Sequence, residues 1–193
     1  MASSDLGLNK NTIVEHYKFL RKMCLESLVN NSEMIEVINK IVEIDETMLY
    51  CRKNNKGRLT KPQRKQVWVF GGVERESRKV FAEIVPNRAA DTLLNVIKKK
   101  NRPGTFVKSE GWREYTKLNE SDYAHGWVNH SKNFLKPSDK LIHTQTIERR
   151  WRSLKEAIPK NLNVDDKIYN IEYLYRCKYH RLGENGFSIF IKQ

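Results

Sequence analysis

The sequence predicts an α/β fold: a mixed sheet with helices packed on it, preceded by an N-terminal helical segment. Two observations carry this. The first half holds three short strand-like runs, Ile41 to Thr47, Gln66 to Glu74 and Lys79 to Val85, the last two joined tightly enough for a hairpin. From Ala89 onward, helical and strand-like patterns alternate. Hairpins followed by alternation place antiparallel and parallel pairing in one sheet. The material for a core is present: of 193 residues, 39% are hydrophobic and 10% aromatic.

The elements follow in order. Asn9 to Leu28 is helical, because Ile13, Tyr17, Leu20, Cys24 and Leu28 recur on one face. Asn9 or Asn11 can cap its start. Leu6-Gly7-Leu8 before Thr12-Ile13 resembles the turn of a helix-turn-helix, whose next helix enters a major groove. The element that should precede this turn is missing, so a chain cut from a longer protein is expected. A plain amphipathic helix accounts for the segment equally well. The expected division is residues 1–38 as this helical segment and 39–193 as the sheet domain.

Ile41 to Thr47 begins apolar and ends acidic. Cys51 to Lys65 is polar and basic with Gly57 and Pro62, which marks a loop. Val67, Trp68, Val69 and Phe70 define the second strand, and Val80, Ala82 and Ile84 the third. Ala89 to Lys100 is a helix with Leu93, Leu94 and Ile97 on one side and three lysines in its last turn. Arg102-Pro103-Gly104 is a turn, Thr105 to Ser109 a short strand, Trp112 to Leu118 a short helix, and Gly126 to His130 a further strand. Thr144 to Ala157 and Val164 to Arg181 are helical, and Gly186 to Lys192 is strand-like. Trp112, Trp151, Tyr169 and Tyr173 are expected in the core.

Lys plus Arg is 36 against 23 Asp plus Glu, a formal net charge of +13. Such an excess favours polyanionic partners. No run approaches the ~18 apolar residues of a membrane span, and Met1 to Lys10 lacks the apolar centre of a secretory signal. Cys24, Cys51 and Cys177 are too far apart for a zinc set and odd in number for a disulfide framework. An intracellular, reducing setting and a nucleic-acid partner are expected, with no membrane.

Three acids sit on three elements: Asp45 at the end of the first strand, Glu110 after the short strand, and Glu148 in the first turns of a helix. Neighbouring strand ends and one helix face could converge them around a hard divalent cation, which takes carboxylate oxygens. On that helix Ile147, Trp151, Leu154 and Ile158 face the core, while Glu148, Arg152 and Lys155 share another stripe. An acid followed by two cations suits a metal held beside a phosphate backbone. An ordinary solvated face with an i,i+4 ion pair gives the same pattern.

Several blocks in this order resemble Merlin-type DNA transposases and their bacterial insertion-sequence relatives. They are Glu43-Ile44-Asp45-Glu46-Thr47, Val67 to Arg75, Val85-Pro86-Asn87-Arg88 with Thr92-Leu93-Leu94, Ser109-Glu110-Gly111-Trp112-Arg113-Glu114-Tyr115, Val128-Asn129-His130-Ser131, and His143 to Lys155. The resemblance runs from about Leu6 to Arg181. It implies an RNase H-like fold in which three acids bind two divalent ions, Mg²⁺ or Mn²⁺. It implies cleavage of a DNA strand and joining of the freed 3′-OH to target DNA. Asp45 matches the first acid and Glu148 the third, so Asp45, Glu110 and Glu148 become the expected catalytic and metal-binding set. Lys155 matches a basic residue that contacts DNA phosphate. The middle position departs: the family has Asp where this chain has Glu110. The extra methylene bears on a site that must hold its geometry to about half an ångström. A host-adopted remnant that binds DNA or protein without chemistry is therefore the alternative.

The same resemblance implies double-stranded DNA as partner, as transposon ends and as target, and assembly into homo-oligomers. It implies a nuclear location if the source is eukaryotic. Candidate phosphate contacts are Arg58, Lys61, Arg64 and Lys65 in the basic loop, and Arg149, Arg152 and Lys155 after the third acid. General solubilising charge is the plainer account of them. His130 and His143 flank the third acid, either to place a phosphate or water or to make structural hydrogen bonds.

Overall fold

The computed structural model describes residues 7–30, 40–49, 67–111, 115, 118, 123–128, 143–158, 166–181 and 183. In chain order the elements are α1 (Lys10–Asn30), β1 (Ile41–Met48), β2 (Trp68–Glu74), β3 (Val80–Val85), α2 (Ala90–Lys100), β4 (Phe106–Glu110), β5 (Ala124–Val128), α3 (Gln145–Ala157) and α4 (Asp166–Arg181). They form two compact units. One is Glu33–Ala157; the other joins Met1–Ser32 with Ile158–Gln193. The division expected at residue 38 placed α4 with the sheet, whereas α4 packs on α1.

In the larger unit the five strands lie in the order β3-β2-β1-β4-β5. The pairs β1–β2 and β2–β3 are antiparallel, and β1–β4 and β4–β5 are parallel. This is the mixed sheet with helices packed on it that the residue pattern predicts. The hairpin turns at Arg75–Ser77, where buried Glu74 accepts bonds from the backbone N–H groups of Glu76 (2.8 Å) and Ser77 (2.6 Å). Strand alternation divides the side chains between two faces. Val42, Ile44, Phe70, Phe81, Val85 and Val107 form a core with Leu93, Val96 and Ile97 of α2. The opposite face carries Glu43, Asp45 and Gly71, and receives α3.

β5 begins two residues earlier than expected, because the parallel ladder to β4 pairs Phe106 with Ala124 and Glu110 with Val128. Glu110 is likewise the last residue of β4 rather than the first after it. The basic loop at 51–65, most of the short helix expected at 112–118, His130 and the strand expected at 186–192 lie outside the described residues.

In the smaller unit, Gly7 takes the left-handed turn expected of it, with φ of 62°. Asn9 is the cap: its Oδ1 accepts from the N–H of Asn11 at 2.9 Å. Cys24 of α1 is buried with Tyr175 and Tyr179 of α4, and Leu28 and Ile171 pack against them. Arg21 Nε donates to Glu172 Oε2 at 2.7 Å, and Ser27 Oγ lies 3.1 Å from the Tyr179 hydroxyl. Tyr17, expected on the buried face, is half exposed. Tyr173 is buried as expected. Among the described residues no helix is long and apolar enough to cross a membrane.

Candidate active site

Parallel pairing brings two of the three expected acids together. Ile41 lies opposite Phe106 and Glu43 opposite Lys108. The ladder pairs Glu43 with Lys108, so alternation along the two strands puts Asp45 and Glu110 on the same face of the sheet. Their charges interact: burial first, then Glu110, then Glu46, push the Asp45 carboxyl well above the ordinary carboxylate range. Hydrogen bonds from the Glu46 backbone N–H and the Trp151 indole oppose that rise.

The indole reaches Asp45 from α3, with Nε1 donating to Oδ2 at 2.9 Å. Gly71 makes room for it. Asp45 pairs with Gly71 across β1 and β2, and a Cβ at Gly71 would lie 2.6 Å from the Trp151 ring and 2.4 Å from the Phe81 carbonyl oxygen. Trp151 is thus the core residue its periodicity predicts, and it orients the first acid as well.

Glu148 stands in the first turn of α3. Its Oε1 accepts from the Thr144 hydroxyl at 3.0 Å, and the residue is exposed. Ile147, Trp151 and Leu154 are buried, while Arg149, Arg152 and Lys155 face solvent. The helix therefore presents acid and cations outward over an apolar underside. Arg58, Lys61, Arg64 and Lys65 lie outside the described residues.

Sequence reasoning passed over four further residues. Tyr115 is buried, and its hydroxyl donates to Glu46 Oε1. Burial, with Glu46, Asp45 and Glu110 nearby, pushes that hydroxyl well above its ordinary range, so it stays protonated. Burial also raises the Glu46 carboxyl, against the Tyr115 hydrogen bond and the charge of Arg88. Arg88 in turn stacks over the Trp68 ring at 4.2 Å. The fourth is Glu43, fully buried. Its Oε1 accepts from Arg75 Nε at 2.6 Å. The only advance signal was alternation, which sets Glu43 on the face of Asp45.

His143 lies 3.5 Å from Glu43. Burial and the nearby Arg75 push its imidazole below the ordinary range, so it is neutral at pH 7.

The donor set fits a hard divalent cation. Asp45 and Glu110 offer carboxylate oxygens, and a cation between them would relieve the charge of Glu110 felt at Asp45. Among the described residues no group of three or more His, Cys, Asp or Glu side chains is placed to hold a metal ion. An open site of one or two carboxylates suits Mg²⁺, which keeps several waters.

Asp45 inside β1 and Glu110 at the end of β4 thus share a sheet face with α3, which carries Glu148 and cations outward. Residues 37–181 match the ISXO2-like transposase domain, and the chain belongs to that family. It is 28% identical over 101 residues to an uncharacterized transposase-like protein of Haemophilus influenzae, covering 52% of this chain and 79% of that one. Among solved structures, the HTLV-2 integrase catalytic core domain in complex with magnesium superposes with a TM-score of 0.46 at 12% identity, over 72% of this chain and 86% of that one. A chain of the simian T-cell lymphotropic virus intasome in complex with PP2A regulatory subunit B56 gamma gives 0.46 at 13% identity, over 75% of this chain and 50% of that one. The chain thus spans half the length of that intasome chain.

Proposed function

We propose that this chain is a Merlin-type, metal-dependent DNA strand transferase. The observation that supports it most is that Asp45 and Glu110 fall on one face of neighbouring parallel strands, with burial and like charge raising the Asp45 carboxyl. Asp45, Glu110 and Glu148 would hold Mg²⁺ or Mn²⁺, two ions in the full assembly. Such ions stabilise the attacking and leaving oxygens of an in-line phosphoryl transfer. Trp151 orients the Asp45 carboxylate through its bond to Oδ2. Arg149, Arg152 and Lys155 neutralise DNA phosphates beside the acids, and the basic loop with Arg58, Lys61, Arg64 and Lys65 extends that surface.

In cleavage, a water oxygen bonds to phosphorus as the bond to one strand's 3′ oxygen breaks. The water gives up a proton to solvent, the leaving 3′ oxygen takes one up to become the 3′-OH, and the other side of the break keeps a 5′-phosphate. In joining, that hydroxyl attacks a target phosphodiester, and the target's own 3′ oxygen leaves. The partners are double-stranded transposon ends and target DNA, engaged by two or more copies of the chain. The work is intracellular, and nuclear in a eukaryotic source.

The test is Mn²⁺-dependent nicking and joining of duplex oligonucleotides carrying transposon ends. Product that disappears in Asp45→Asn is expected; no product under conditions where an active relative works overturns the reading. Glu110 in the place of the family's Asp favours a second reading, a remnant that binds DNA or protein without cutting. Cleavage gained only in Glu110→Asp would establish it.

A further inference from the structure

Both carboxylate oxygens of Glu43 are hydrogen-bonded, and nothing in the proposed chemistry uses the residue. It is fully buried. Its Oε1 takes the Arg75 guanidinium at 2.6 Å and the Thr146 hydroxyl at 2.9 Å. Its Oε2 takes the backbone N–H groups of Thr146 at 2.8 Å and Ile147 at 3.1 Å. Those two amides belong to the first turn of α3, where N–H groups have no partner within the helix. A carboxylate there also meets the positive end of the helix dipole. Arg75 closes the arrangement by donating from its Nη2 to the His143 carbonyl at 2.9 Å, just ahead of the helix. With its bonds to the helix and to Arg75, Glu43 is ill placed to serve as a metal ligand.

We infer that Glu43 is a positioning residue that fixes the first turn of α3 on β1 and so sets Glu148 relative to Asp45. The geometry is direct. Glu43 and Asp45 are two apart on one strand face, and Glu148 follows immediately after the last amide that Glu43 binds. Two side chains of β1 therefore grip α3 at two levels: Glu43 at the first turn, and Asp45 through Trp151 one turn on. Losing the upper grip lets the start of the helix move while the buried Ile147, Trp151 and Leu154 keep it docked. Orienting partners of metal ligands typically carry about 10- to 100-fold of metal affinity. The inference rests on the reading that Asp45, Glu110 and Glu148 share a metal.

The experiment uses the full chain and Mn²⁺ as probe. Binding is followed by calorimetry, and amide exchange is followed at Thr146, Ile147 and Glu148. Glu43→Asp keeps the charge for Arg75 but draws the carboxylate back from the helix. The expected result is Mn²⁺ affinity weakened about 10-fold, faster exchange at those three amides, and unchanged exchange in β2 and β3. In a Glu148→Gln background the same change should no longer alter Mn²⁺ affinity. Thr146→Ala, which removes one hydroxyl bond and leaves both amides, should act in the same direction more weakly and covers the case in which Glu43→Asp does not fold. Wild-type affinity in Glu43→Asp, or in Thr146→Ala where the former does not fold, overturns the inference alone. So does a loss of equal size in the Glu148→Gln background. A wild-type chain that binds no Mn²⁺ overturns the proposed function and the positioning role with it.

Discussion

The Trp151 indole and the Asp45 carboxylate meet at 2.9 Å, across the contact between α3 and β1. The spacing between Glu148 and Trp151 is one helical turn, so the helix that carries the third acid also grips the first. Trp151→Phe keeps most of the ring and removes the donor. The Asp45 carboxyl then loses a hydrogen bond worth about 1 kcal/mol. The melting temperature should fall accordingly, and Mn²⁺ titration should show weaker binding with the fold retained by circular dichroism.

Gly71→Ala tests the room that this contact needs. The added methyl meets the Phe81 carbonyl at 2.4 Å and the Trp151 ring at 2.6 Å. Overpacking of this kind costs about 1–3 kcal/mol, and the backbone oxygen has little freedom to yield. Urea denaturation should show a lower midpoint with an unchanged slope.

Glu110→Gln should separate stability from chemistry. Glu110 is one of the charges that push the Asp45 carboxyl up, so removing it relieves repulsion in the metal-free protein. The metal-free melting temperature should rise while Mn²⁺-dependent nicking falls at least about 100-fold, as expected for loss of a group that stabilises charge in the transition state. A drop in both would point to a structural role for Glu110.

The α1–α4 pair should carry its own acid dependence. Burial acts to raise the Glu172 carboxyl, but hydrogen bonds from Arg176 and Arg21 outweigh it and hold the group below its ordinary value. A carboxyl lowered in the folded state contributes stability at pH above its unfolded value, and that contribution is lost as pH falls through the folded one. Wild-type stability should therefore drop from about pH 5 downward more steeply than that of Glu172→Gln, which lacks the titrating group. Urea midpoints across that range give the comparison.

DNA affinity should depend strongly on salt. Each phosphate contact contributes about 0.9 to the slope of log affinity against log salt on duplex DNA. Arg152→Ala and Lys155→Ala should each reduce the slope by about one and weaken binding to unrelated sequences alike. Fluorescence anisotropy at several salt concentrations measures it.

Much of this architecture is legible in the residue pattern. The hairpin of β2 and β3 announces itself by alternation, and the buried stripe of Ile147, Trp151 and Leu154 by its helical period. What pattern does not carry is register. Nothing local sets Glu43 opposite Lys108, and the nearness of Asp45 to Glu110 follows from that pairing. Glu43 escaped notice because a charged residue in an alternating strand reads as solvent-facing, while its partners Arg75, Thr146 and Ile147 lie far along the chain. Tyr17 shows the opposite error. Periodicity put it inside, yet α1 is covered along its second half, at Cys24, Ser27 and Leu28, and Tyr17 stays half exposed.

Because β1 and β4 are hydrogen-bonded neighbours, a loop between the elements that join them can lengthen or shorten without changing the pairing of β1 with β4. A slip of β4 by a single position is another matter, since it would turn Glu110 to the reverse side of the sheet. The pair tolerates insertions and is intolerant of misalignment.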